Sequence, residues 1–362
     1  MSNNNQPQFL GYLHSFRGFA IINIVAIHCF AFAIFGSNNF NFGEENAISF
    51  INEFLFHNST IYFAVISGVL FTAILKNKGY NNFFTGKIKH VLLPYVFFTL
   101  LFSILSQNSN NPLAVQPDFF SYLKAVLRNF VYGKALAVYW YIPVLIFLYL
   151  ATPLLDYIIN LKTLGKPLFA VFILAPLVVS RVELVELVQG DFLSLKTMIY
   201  FMGAYAAGVY FGKDLEAGLT WIQKNLVVFI IFALLSSAAL IYFYIKGIDK
   251  TGPVSLLAST YYIQKMCISA IVIQMLKKLE ENQPRWLHRI AKDSFTIFFL
   301  HAFFLFIVMS LIMPLLTLKK IAPFNIIVGG IIMIIGSIAL SMLIAAIFRK
   351  LFGKKSRMIV GS

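Results

Sequence analysis

The sequence has few charged residues and almost no cysteine. Only 12% of its 362 residues are charged and 59% are hydrophobic, whereas roughly a quarter of the residues in a soluble domain are charged. This composition excludes an ordinary soluble domain. The two cysteines, Cys29 and Cys267, both lie in apolar runs and offer neither a disulfide framework nor the spacing of a metal site. Residues 1–15 contain no Lys or Arg, which argues against a signal peptide.

Long apolar segments are abundant, and we count about ten. A helix needs about 20 apolar residues to cross a hydrocarbon core of roughly 30 Å. The runs cover about 18–36, 54–75, 91–106, 139–159, 167–180, 195–212, 226–245, 254–276, 293–316 and 322–348. The sequence therefore predicts an all-α polytopic membrane protein with about ten transmembrane helices.

The net charge of +15 would suggest nucleic acid in a soluble protein, but in a membrane protein Lys and Arg set the orientation. With both termini in the cytoplasm, roughly twice as many Lys and Arg fall inside as outside. The acidic segments EENAISFINE and RVELVELVQGD then fall outside. We expect cytoplasmic tails at 1–15 and 350–362 and no nucleic-acid partner.

The longest connection, 107–138, is predicted on the outer side. Its part DFFSYLKAVLRNFVYG has the pattern of an amphipathic helix. Three interpretations are open: a helix on the membrane surface, a cap over a cavity, or a simple packed loop helix.

The first run, FRGFAIINIVAIHCF, carries two polar side chains, Arg17 and His28. Eleven helical residues rotate to within roughly 20° of the starting direction and rise about 16 Å, so both side chains share one face. Arg17 alone is explained equally well as a positive-inside anchor. His28 lies at membrane depth, where ionisable residues face the bundle interior or a cavity.

A second histidine, His301, lies in the late run KDSFTIFFLH. It is about 12 Å along the helix from Asp293, a depth similar to that of His28. The two histidines predict a shared polar cavity. A neutral imidazole can accept a hydroxyl proton, so general-base work fits the pair. Two histidines without a nearby carboxylate make a poor metal site, and no metal is expected.

Other polar or aromatic residues in the runs have competing explanations. Lys265 in mid-span either snorkels to the interface or pairs with an anion in the cavity. Ser67 and Gly68 suit close helix packing. Trp140 and Tyr141 suit an aromatic belt at the outer face, and their rings also suit contact with a sugar.

Several motifs follow one another in order from about residue 10 to 350. After Arg17 and His28 come YFAVISGVL, KIKHVLLPYVFF, YWYIPVLIFLYLATPLL and YFMGAYAAGVYFGK, and finally Ser294, Phe298 and His301. In this pattern the chain resembles acyltransferase family 3, integral-membrane acyltransferases that modify bacterial surface glycans. It departs at Val69, where many members have an aromatic residue. Lys87, Lys89 and His90 stand where many members have two arginines. In that stretch the chain resembles one subgroup of the family, which includes the membrane protein of intercellular-adhesin polysaccharide synthesis.

The resemblance implies one acyltransferase domain over 1–362, without a fused soluble domain, in the bacterial cytoplasmic membrane. It implies an acyl-CoA as donor, with acetyl-CoA preferred over other acyl-CoAs, and a surface polysaccharide or lipid-linked sugar as acceptor. Arg17, Lys87, Lys89 and His90 would hold the donor phosphates. Catalysis would use His28 as base or transient acyl carrier, with Arg17 and His301, the latter orienting the acceptor or polarising the carbonyl. Acceptor contacts would come from Trp140, Tyr141, Ser67 and Lys265. The oligomeric state stays open.

A transporter or exporter of a glycan or small anion is the competing class, because carriers also place polar residues at the midplane. Carriers often consist of repeated halves, and the Arg17–His28 motif has no counterpart in residues 180–362. A structural scaffold leaves the intramembrane charges unexplained.

Overall fold

The structure, a computed structural model, describes residues 10–36, 47–105, 118–179, 194–251, 254–279, 282–316 and 322–361. Within these ranges the chain is helical apart from one small hairpin. The predicted acidic segment at 181–191, the run ends at 106 and 180, and residues 107–117 of the predicted outer connection lie outside the described residues.

The helices of the N-terminal half are α1 (Gly11–Gly36), α2 (Ala47–Phe56), α3 (Thr60–Leu70), α4 (Tyr80–Lys87), α5 (Leu93–Leu105), α6 (Phe119–Tyr132), α7 (Tyr141–Ile159) and α8 (Gly165–Leu174). Those of the C-terminal half are α9 (Leu195–Lys213), α10 (Leu215–Lys224), α11 (Leu226–Lys246), α12 (Leu256–Lys278), α13 (Arg285–Lys292), α14 (Ser294–Leu316), α15 (Ala322–Phe352) and α16 (Ser356–Ile359). The hairpin pairs β1 (Lys250–Thr251) with β2 (Val254–Ser255) between α11 and α12.

Eight helical stretches of the described chain are long and apolar enough to cross a membrane, and the all-α membrane architecture is thus confirmed. They are Gly11–Gly36, Ile48–Lys78, Tyr80–Ile104, Ala137–Ile159, Leu226–Lys246, Leu256–Lys278, Ser294–Pro314 and Phe324–Ile359. The other two predicted spans are also helical, as the short Gly165–Leu177 and as α9. Whether these two cross the membrane stays a prediction.

Two boundaries differ from the sequence prediction. Helix α1 begins at Gly11, so residues 11–15 belong to the bundle rather than to a tail. Residues 47–52 were expected in an acidic outer loop, but they form helix α2, which packs against α1 where Asn52 Nδ2 donates to the carbonyl oxygen of Ile27. The break between α2 and α3 falls at Asn58, whose φ of 59° ends the helix.

The C-terminal segment also packs onto the bundle. Ser356 and Val360 are buried, and Thr296 Oγ1 on α14 donates to the carbonyl oxygen of Val360 at 2.7 Å. Residues 350–361 therefore are not a free tail. They lie at the same end of the bundle as Arg17, which is the arrangement that an even number of crossings produces.

A π-helical turn, Ile88–Leu92, lies between α4 and α5 and carries Lys89 and His90. Pro94 follows it at the second residue of α5. Proline has no N–H for the carbonyl four residues before it, which is the carbonyl of His90. A π turn is a common way to accommodate such a missing bond, and it redirects the basic side chains.

Helix α6 confirms the predicted amphipathic segment. Asp118 caps it by accepting from the backbone N–H of Ser121, and Gly133 ends it in the left-handed region. Its inner face packs against α5, where Asn129 Nδ2 donates to Ser103 Oγ. The outer face exposes apolar side chains, Phe119 and Phe120 among them, which favours a position on the membrane surface.

Helices α3 and α9 pack backbone to backbone. A Cβ atom on Gly68 would overlap the carbonyl oxygen of Tyr205, and one on Gly208 would overlap that of Val65. Small residues allow such a close approach. The resulting van der Waals contact stabilises helix pairs in a membrane, where no hydrophobic force drives them together. The packing interpretation of the Ser67–Gly68 pair is confirmed for Gly68.

Gly208→Ala should therefore lower stability by about 1–3 kcal/mol, because backbone atoms cannot move aside for the new methyl group. Gly86→Ala is the matched control, since nothing lies within 4 Å of a Cβ atom there. It should be neutral or stabilising by up to about 1 kcal/mol, as Ala is the better helix former. Thermal unfolding of the detergent-solubilised variants measures both, and equal behaviour would contradict the packing.

Candidate functional site

Two histidines meet inside the bundle. His28 on α1 and His301 on α14 have ring centroids 5.5 Å apart, with planes tilted by 35°. His301 is fully buried, whereas His28 is partly accessible. The structure thus brings together the two side chains that the sequence placed at matched depth, and His28 is the less buried of the two.

The hydrogen bonds of His301 fix its tautomer. Its Nδ1 lies 2.9 Å from the carbonyl oxygens of both Ile297 and Phe298. Carbonyl oxygens only accept, so Nδ1 carries the proton and Nε2 of the neutral ring has a free lone pair. Nε2 is buried and has no hydrogen-bond partner among the described residues. This ring is therefore equipped to accept a hydrogen bond or a proton from a bound hydroxyl.

Arg17 joins the same two helices nearer their common end. Its Nη2 donates to Ser294 Oγ at 2.8 Å, and its guanidinium lies over the ring of Phe295, 5.7 Å from the centroid. Ser294 is the first residue of α14 and stands about 10 Å along the axis from His301. Arg17 and His28 thus both line the α1–α14 contact, as their spacing predicted.

Further cations gather around Arg17. Lys87 Nζ lies 4.1 Å from the ring centroid of Tyr149, and both Tyr149 and Arg357 are within electrostatic range of Arg17. His90 lies beside the backbone of Arg357. Arg357 is exposed and forms no ion pair with any carboxylate of the described residues. Lys89 is exposed on the π turn beside them. We call Arg17, Lys87 and Arg357 the cationic cluster.

The nearby carboxylates are already engaged, so they leave this charge unbalanced. Asp293 is buried and takes a two-pronged pair from Arg349. Asp156 accepts from Tyr80 at 2.6 Å and pairs with Lys76 at 2.7 Å. Like charges held close together without a counter-ion are costly, and a bound polyanion relieves that cost.

Tyr141 is linked to the histidine pair through the ring of Phe298. Its ring is 6.4 Å from that of Phe298, which in turn is 6.1 Å from His301. The Tyr141 hydroxyl is buried without a hydrogen-bond partner in the described structure. Trp140, in the turn Ala137–Trp140, meets the ring of Tyr141 edge to face and that of Phe201 at a tilt. The aromatic pair is therefore separated from His301 by one ring, that of Phe298, and a ligand hydroxyl would satisfy Tyr141.

Lys265 does not reach the histidine pair directly. It is fully buried, and its Nζ donates to the carbonyl oxygens of Leu55 at 2.8 Å and Phe54 at 3.5 Å. Cations favour the C-terminal end of a helix, here α2. This contact is neither of the two interpretations from sequence and favours a structural role. Ser67 is buried on α3 beside Gly68.

Some residues at the site carry no distinctive sequence signal. Arg357 counted only as an inner charge, Tyr149 as one aromatic among many, and Asp293 with Arg349 as unrelated residues. Glu53 was assigned to a loop, yet its carboxylate interacts electrostatically with His28 and Lys265. Glu53 also pairs with His57 at 2.6 Å. Only the chain's folding back on itself reveals these neighbours.

The fold and the site together define a multi-span helical membrane protein with a histidine pair inside the bundle and unbalanced cations at one end. The family model described as an acyltransferase domain, that of acyltransferase family 3, matches residues 10–346. The chain therefore belongs to acyltransferase family 3 and is a membrane acyltransferase. Neither the curated proteins nor the solved structures contain a significant match.

Arg349→Ala should lower stability by about 1–3 kcal/mol, because it leaves the buried Asp293 carboxylate unpaired. Lys350→Ala, which removes an exposed charge one residue later, should leave stability unchanged within about 0.5 kcal/mol. Adding Asp293→Asn to Arg349→Ala should restore part of the loss. Thermal unfolding in detergent measures all three, and an Arg349→Ala protein as stable as Lys350→Ala would refute the pair's importance.

Proposed function

We propose that this protein moves an acetyl group from cytoplasmic acetyl-CoA to a hydroxyl of a surface polysaccharide or lipid-linked sugar, in the bacterial cytoplasmic membrane, with the whole chain acting as one domain. The observation that carries the proposal is the histidine pair, with a partly accessible His28 beside a His301 whose Nε2 is free to accept. Family membership supplies the reaction class, and the site supplies the roles.

The donor end of the proposal rests on the cationic cluster. A coenzyme A thioester has several phosphate charges, and Arg17, Lys87 and Arg357 are cations without carboxylate partners in the described chain. The distance from Arg17 to His28 along the axis of α1 is about 16 Å. A long pantetheine arm bridges such a distance and delivers the thioester to the histidines. Lys87 and Lys89 bind phosphate as point charges, without the two-pronged geometry of arginine.

The chemical step needs a base for the acceptor hydroxyl. In our proposal His28 removes the hydroxyl proton as the oxygen attacks the thioester carbonyl. The tetrahedral intermediate then collapses to the ester, and the departing CoA thiolate takes the proton back from His28. The alternative, in which His28 first carries the acyl group, uses the same neutral ring as nucleophile.

The tautomer of His301 separates two roles expected from the sequence. Polarising a carbonyl requires an N–H donor at the reacting side, but the proton of His301 is held on Nδ1 by its own helix. Orienting the acceptor requires an acceptor nitrogen, and Nε2 provides it. We therefore favour His301 as the side chain that orients the hydroxyl, with Tyr141 and Trp140 contacting the sugar.

The transporter alternative gains no specific support from the site, and membership of an acyltransferase family favours the enzyme. The two differ in one simple measurement. Purified enzyme should release CoA from acetyl-CoA when a glycan acceptor is added, whereas an exporter would leave the thioester intact.

His28→Ala should reduce acetyl transfer about 10²–10⁴-fold, the usual contribution of a general base. The measurement follows radiolabelled acetyl from acetyl-CoA into the glycan and lipid fractions of membranes. Cys29→Ala is the neighbouring control, expected to keep most of the activity because Cys29 is packed in the core. Unchanged acetyl transfer by a correctly inserted His28→Ala protein would contradict the role of His28 as general base.

His301 allows a sharper comparison of two amides. His301→Gln places a carbonyl oxygen near the position of Nε2 and should retain partial activity. His301→Asn places an amide near Nδ1 and should be as inactive as His301→Ala. The same transfer assay applies, and the opposite order would show that the Nδ1 side matters instead.

Arg357→Ala should raise the KM for acetyl-CoA about 10-fold or more while kcat changes less, because one phosphate contact is worth about 1.5 kcal/mol or more. Arg357→Lys should recover part of the affinity. Lys354→Ala, which removes an exposed charge three residues earlier, is the matched control. If Arg357→Ala and Lys354→Ala raise KM equally, Arg357 has no specific donor contact.

A further inference from the structure

A large cavity lies across α3 from the histidine pair. Its volume is about 1210 Å³, above the roughly 300–1,000 Å³ of ordinary small-molecule pockets. Helices α8, α9, α10, α11 and α12 surround it. Val65 on α3 lines it, whereas Phe63 on the same helix packs towards α14 against Phe295 and Phe298. The cavity is thus separate from the proposed reaction site.

The cavity is apolar at depth and cationic at its rim. The deep lining includes Met266, Cys267 and Ile273 of α12. Cys267 stands about 16 Å along α12 from its last residue. The rim lies at the end of α7, the start of α8 and the end of α9, where Lys162, Lys166, Lys213 and Asp214 line the opening. A long apolar space below a charged opening matches the shape of a lipid, which has an apolar acyl chain at one end and a charged headgroup at the other.

The rim charges are not all equivalent. Lys213 Nζ donates to the carbonyl oxygen of Ile159 at 2.9 Å, and Asp214 caps α10 by accepting from the N–H of Ala217. Lys162 and Lys166 are exposed and make no ion pair with a carboxylate of the described residues. Two free cations above an apolar space complement a headgroup with a negative phosphate.

We propose that this cavity binds one anionic phospholipid of the surrounding bilayer, with its phosphate at Lys162 and Lys166 and an acyl chain reaching towards Cys267. Basic pockets between membrane helices bind anionic headgroups in this manner. A second copy of the chain would bring like charges to the rim and fits less well. The proposal concerns lipid binding and holds whether or not the proposed acyl transfer is correct.

The test counts lipids retained by the purified full-length protein, using native mass spectrometry after exchange into micelles that contain phosphatidylglycerol or phosphatidylcholine. The wild type should keep one phosphatidylglycerol per chain and at least 5-fold less phosphatidylcholine. Lys162→Gln with Lys166→Gln should reduce phosphatidylglycerol retention at least 5-fold. Lys78→Gln with Lys292→Gln removes two exposed charges elsewhere and should leave retention unchanged.

A second variant tests the apolar part. Ala207 lines the cavity, so Ala207→Phe should fill part of it and reduce retention of both lipids. Size-exclusion chromatography establishes that each variant is folded. If that variant does not fold, Ala270→Leu, at another lining position, replaces it. Equal retention of the two lipids by the wild type, or of phosphatidylglycerol by the two double variants, would overturn the proposal.

Discussion

The contact between helices α1 and α14 is the interaction on which the rest of the site depends. Arg17 closes it at one end through Ser294, and the His28–His301 pair occupies it at mid-depth. Polar side chains are expensive inside a bilayer, so they persist where they face each other or a cavity. The register of these two helices determines where the histidines lie relative to the cationic cluster. The C-terminal segment then packs over Phe295 and Thr296 and brings Arg357 into the cationic cluster.

Charge is distributed unevenly through this bundle, because some cations have partners within the protein and others do not. Arg349 pairs with Asp293, Lys76 pairs with Asp156, and Lys265 donates hydrogen bonds to carbonyl oxygens at the end of α2. These cations hold helices together. The cationic cluster and the two exposed lysines at the lipid-shaped cavity lack such partners in the described chain. A cation without a partner in the protein favours an anionic ligand, so the two sets agree with the two ligands proposed above, one on either side of α3.

Much of the fold followed from local pattern. Apolar runs located the helices, and the spacing of Arg17 and His28 placed both on one face, because the helical period is a local property. The boundaries at Gly11 and Ala47 were missed, since polar residues such as His14 and Asn52 are helical here only through contacts with other helices. The contacts of Lys265 could not be read from the sequence for the same reason. Its partners lie some 210 positions away in the chain, and no periodicity reports them.

The sequence by itself determined that this is a helical membrane protein, that one helix face carries Arg17 and His28, and that its motifs match an acyltransferase family. Composition, period and motif order are properties of the chain alone. Only the tertiary structure decided which cations are free, which nitrogen of His301 is free to accept, and that Arg357 joins the cluster. Those properties depend on pairs of groups far apart in the chain, whose distance is set by helix packing and by backbone bonds such as the one that holds the proton on Nδ1 of His301.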